Sequence, residues 1–100
     1  MKRWWLSFWY EGVDYRPVTF PPTSEVLGWW VTGQDMQGRF SLCLLVAAPT
    51  AVDAWRIIRP DWPESKGAER RFCDELPADW TPSDRFPLSD WMKERLGVAA

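Results

Sequence analysis

The chain has 100 residues, with 12 basic and 14 acidic side chains, a net charge of −2 and no histidine. That length fits a single domain spanning 1–100. The balanced charge argues against a protein built to hold a phosphate backbone or to mimic DNA. The missing histidine removes Ser-His-Asp and Cys-His catalysis, most zinc sites and the commonest general base.

Residues 3–11, Arg-Trp-Trp-Leu-Ser-Phe-Trp-Tyr-Glu, read as a first strand, because aromatic residues favour pleated structure. Trp4, Leu6, Phe8 and Tyr10 alternate onto one face, and Trp5, Ser7 and Trp9 onto the other. Pro17, Pro21 and Pro22 then predict an extended, ordered loop rather than a helix. Residues 26–33 and 39–47 read as two strands joined by a polar, glycine-containing turn, and therefore as a hairpin.

A helix follows. Thr50 and Asp53 have the spacing of a capping box, and Ala51, Val52, Ala54, Trp55 and Ile58 supply an apolar stripe. Arg56 and Arg59 suit its C-terminal end, and Pro60 stops it. Residues 70–76 read as a fourth strand, with a helical turn as competitor because the alternation is imperfect. Proline-punctuated chain from 77 to 87 leads to a last helix at 89–96, with Ser89 as N-cap and Gly97 as C-cap. The expected fold is α+β, a small antiparallel sheet in the order βββαβα with both helices packed on one face.

No motif for chemistry emerges. The glycines are scattered, so there is no phosphate-binding loop, and no carboxylates are paired at a defined spacing. Cys43 and Cys73 stand alone, read as free thiols, and make no metal site. The expectation is a protein that is not an enzyme and uses no cofactor or metal. No apolar run reaches the roughly 18 residues of a membrane span. Met1-Lys2-Arg3 superficially resembles a secretion signal, but Ser7, Tyr10 and Glu11 interrupt the apolar stretch and no small-residue cleavage site follows. A cytoplasmic protein without a membrane partner is therefore expected.

The nine tryptophans are the informative feature. Adjacent strand residues face opposite ways, so Trp4/Trp5 and Trp29/Trp30 each divide between the faces. Helices on one face cover one member of each pair. The other members form a candidate contact surface, since tryptophan dominates binding hot spots. Trp5, Trp9 and one of Trp29 or Trp30 are its expected aromatic part. Arg56, Arg59, Arg70 and Arg71 are its expected polar neighbours. The competing reading is that both faces are covered, by helices on one side and proline-rich loops on the other.

Three runs resemble those of small uncharacterised phage, prophage and mobile-element proteins: Arg3-Trp4-Trp5-Leu6-Ser7-Phe8, Gly28-Trp29-Trp30, and Asp84 to Met92. The resemblance covers patches of the chain and implies a setting, with no functional residue carried over. Proteins of that setting, anti-CRISPR proteins among them, often bind and block a host protein. The leading expectation is such a protein-binding inhibitor of a host defence complex, acting by occlusion. A single-stranded nucleic-acid or small-ligand binder using the same aromatic face is the alternative, and a homodimer through that face is a third outcome.

Overall fold

The computed structural model describes residues 1–10, 22–34, 40–68, 70–77, 79–80 and 82–97. Strands β1 (Lys2–Tyr10), β2 (Val26–Gln34), β3 (Phe40–Ala48) and β4 (Arg71–Leu76) and helices α1 (Ala51–Ile58) and α2 (Asp90–Leu96) follow the order βββαβα. Residues 11–21, with Pro17 and Pro21 of the three-proline loop, and residues 35–39 of the hairpin turn lie outside the described residues. The strands make one antiparallel sheet in the order β2-β3-β1-β4. The fold class, the element order and the β2–β3 hairpin are those read from the sequence. A short 3-10 helix at Pro63–Gly67 is an addition.

β1 and β3 are central because they carry apolar side chains on both faces. Directly paired residues share a face. On the first face Trp4 opposes Val46, Leu6 opposes Leu44 and Phe8 opposes Leu42. α1 covers this face. Its cap forms as expected: the Thr50 hydroxyl accepts from the Asp53 backbone N–H at 3.2 Å and donates to the Asp53 carboxylate at 2.9 Å. Ala54 and Ile58 are fully buried against Leu6, Phe8, Leu42 and Leu44. Trp62, from the chain that follows α1, packs edge-on against Trp29 at 5.6 Å. Val52 departs from the expected stripe and is 65% exposed. The helix buries along Ala51, Ala54, Trp55 and Ile58, the i, i+3, i+4, i+7 spacing, and Val52 falls outside it.

The helices do not share a face. α2 packs on the second face, where Met92 is fully buried with Leu27, Trp30 and Leu45. Trp80, Phe86 and Leu88, from the proline-punctuated chain before α2, complete this layer. The physical reason lies in β1 to β3: Trp5, Leu27, Trp30 and Leu45 add a second apolar surface that one eight-residue helix on the far side cannot cover. Arg95 of α2 fixes the arrangement. Its guanidinium donates to the carbonyls of Pro22 (2.8 Å), Thr23 (2.9 Å) and Val26 (2.7 Å), and lies 4.9 Å from the Trp91 ring centre. Gly97 ends α2 at φ 70°, the left-handed conformation glycine adopts without strain.

Candidate interaction surface

Of the tryptophans expected at a surface, Trp5 packs into an aromatic cluster, and both Trp29 and Trp30 belong to the interior. Trp29 and Trp30 are 4% and 5% exposed. Trp30 stacks on Trp5 with ring centres 5.7 Å apart and planes at 19°, and its indole N–H donates to the Pro87 carbonyl at 2.8 Å. Trp80 and Phe86 meet the Trp5 ring edge-on, at 5.4 and 5.0 Å. Trp5 keeps partial exposure, as one wall of this cluster. Gly28 permits the stack: a Cβ there would stand 2.5 Å from the Trp30 ring. The expectation that one of Trp29 and Trp30 faces solvent is therefore corrected. Both faces of the sheet are covered at this end.

The remaining candidates gather around β4. None of its residues is fully buried, and its outer edge is the end of the sheet. On the second face the Arg70 guanidinium lies 5.9 Å from the centre of the half-buried Trp9 ring. Phe72, one step along that face and opposite Ser7, is 57% exposed. The first face presents a cleft of about 300 Å³ between α1 and β4, lined by Val52, Trp55, Arg59, Arg71 and Cys73. The Arg71 guanidinium lies 5.5 Å from the Trp55 ring centre, while Phe8 packs against the same indole from the core at 6.3 Å.

The four arginines thus divide. Arg59 and Arg71 converge in the cleft, Arg70 joins Trp9 on the opposite face, and exposed Arg56 makes an ion pair along its own helix with Asp53 at 3.7 Å. Acidic groups are interleaved: Asp74 and Glu75 are exposed on β4, and Glu75 takes an ion pair from Lys2 at 2.9 Å.

The two thiols point to opposite faces, since Cys43 pairs with Ser7 and Cys73 with Leu6. Both are free. Burial pushes the Cys43 thiol above its ordinary pKa, against smaller opposing hydrogen bonds from Thr32, Ser41 and Trp5. Burial raises Cys73 as well, and the neighbouring Asp74 charge adds to it. A thiol shifted upward is a poor nucleophile at neutral pH. The cleft offers apolar, aromatic and cationic contacts.

Among the described residues no group of three or more Cys, Asp or Glu side chains could hold a metal ion, and no helix is long and apolar enough to cross a membrane. Val52 and Trp55 were read only as part of the helix stripe, Cys73 only as a free thiol, and Phe72 was not singled out from the sequence. For Phe72 and Cys73 the signal was the broken alternation of 70–76, which marks a strand with neither face fully buried. No protein-family model, curated protein or solved structure matches this chain.

Proposed function

We propose that this protein is a non-enzymatic binding module that occludes a protein partner through the α1–β4 cleft. The observation that carries the reading is the Arg71–Trp55 cation–π contact, set beside Arg59 and the exposed Val52 in one open cleft. Arginine and tryptophan dominate protein-binding hot spots, and an apolar rim excludes water from such contacts. An acidic side chain flanked by apolar residues is the complementary partner chemistry.

A protein is favoured over single-stranded nucleic acid by the occupancy of the indole. Nucleic-acid platforms need a free aromatic face for each base. Trp55 has Phe8 against it from the core and Arg71 over its ring on the open side. Asp53, Asp74 and Glu75 nearby would also repel a phosphate chain. The resemblance to phage and mobile-element proteins makes a host defence complex the class of partner to test first.

The test is a tagged pull-down from bacterial lysate with and without nuclease, run on the wild type and on Arg59→Glu and Val52→Asp. A stoichiometric protein that survives nuclease and is lost from both variants is the expected outcome. Partner loss on nuclease treatment would transfer the reading to nucleic acid. Undiminished capture by both variants would remove the cleft from the account.

A further inference from the structure

The outer edge of β4 pairs with the same edge of a second copy of this chain: we infer an antiparallel β4–β4 dimer about a two-fold axis at Cys73. The inference starts from the hydrogen-bond register. The Trp9 N–H donates to the Arg70 carbonyl at 3.2 Å, which makes Trp9 and Arg70 a hydrogen-bonded pair. Such pairs alternate along an antiparallel ladder. With the observed register, Phe72, Asp74 and Leu76 turn their backbone groups toward β1. Arg71, Cys73 and Glu75 therefore turn their N–H and C=O groups outward, to an edge that no described strand covers. A row of unpaired backbone groups on an exposed strand is a template for another strand.

The side chains select the occupant. About a two-fold axis at Cys73, Arg71 of each copy stands opposite Glu75 of the other, and Cys73 stands opposite its own equivalent. All of these are outward-turning residues, so every facing pair can exchange backbone hydrogen bonds. Phe72 stands opposite Asp74 of the second copy and diagonal to its Phe72 and Leu76, within reach of an aromatic ring. The 57% exposed Phe72 then gains an apolar neighbour. Axes at Arg71, Asp74 or Glu75 set that residue's charge against its like. An axis at Phe72 leaves Arg71 facing a cysteine and takes fewer strand residues into the pairing.

Arg71 serves both contacts, because its guanidinium lies over the Trp55 ring, 5.5 Å from its centre, and offers five N–H donors in a planar fork that suits a carboxylate. The dimer joins two four-stranded sheets into one and leaves Arg59 and Val52 of each cleft open. It does not depend on the partner-binding reading.

Sedimentation equilibrium over a concentration series tests it, on the wild type, Arg71→Glu, Glu75→Arg and the double exchange. The wild type is expected to approach twice the monomer mass. Each single variant sets like charges opposite each other twice, and weakens association about tenfold or more. The double exchange restores the pairing and the wild-type affinity. A short bifunctional maleimide should link two chains through Cys73, with the link lost in Cys73→Ser. Arg59→Glu should dimerise like the wild type, which separates this result from any failure of the cleft as a binding site. A monomer at every concentration overturns the inference, and so does a dimer indifferent to the charge exchanges or not restored by the double exchange.

Discussion

The two edge strands of this sheet have been treated in opposite ways. Val26 to Trp30 of β2 are buried without exception, between Trp62 on one face and α2 on the other. Arg95 takes the carbonyls at its start. β4 has no buried residue, no cover on its outer edge among the described residues, and charge at three of six positions. One edge has been absorbed into the core, and the other has been left as surface. An edge closed by packing needs no charge to protect it. An open edge keeps Arg71, Asp74 and Glu75, which discourage indiscriminate pairing and permit a matched one.

The largest effect that would break this contrast lies at β2. Trp30→Ala removes the centre of the stack and should cost about 3–5 kcal/mol, read by chemical denaturation. A loss within the range of a surface substitution would show that Trp30 is not core. Arg95→Ala should cost about 2 kcal/mol, since it strips a charged donor from three carbonyls. Arg95→Lys should not recover it, because a single ammonium lacks the planar fork that reaches them together.

A smaller effect is set by the thiols. Burial holds the Cys43 proton in the fold, whereas the unfolded thiol ionises near its ordinary pKa of 9.0. The unfolded chain then binds fewer protons, so stability falls as pH rises past about 9. A denaturation series across that range should show a shallower alkaline fall for Cys43→Ala than for the wild type. The smallest effects belong to β4 and its neighbours: Phe72→Ser and Val52→Asp should change stability by no more than about 0.5 kcal/mol. A loss of several kcal/mol from either would place that residue in the interior and erase the difference between the edges.

What the sequence disclosed, and what it concealed, follows the same division. Local pattern and capping located three strands and both helices, because they are local properties, and left 70–76 between a strand and a helical turn. Thr50, Pro60 and Gly97 marked boundaries through their own backbone chemistry. The sides on which the helices pack are not local. They depend on how Trp30 folds back over Gly28 to meet Trp5, and on Trp80 and Phe86 arriving from a segment that has no periodicity of its own. Tryptophan pairs on adjacent positions suggested one covered and one open face. Proline-punctuated chain covered the second face instead, so aromatic content pointed to the core and not to the surface. Of the candidate residues, Trp9, Arg59, Arg70 and Arg71 stand around β4, while Trp5, Trp29 and Trp30 hold the sheet together. The weak alternation of β4 was the better guide, since a strand that buries neither face must spend its side chains on something else.

The most direct measurement is amide hydrogen exchange by NMR at a low and a high protein concentration. The account expects Phe72, Asp74 and Leu76 to be protected at both, because they bond to β1. Arg71, Cys73 and Glu75 should exchange freely in the dilute sample and become protected in the concentrated one. Protection of those three amides at both concentrations would mean that the edge is already covered within one chain. Free exchange at both would leave β4 an open edge without a second copy upon it.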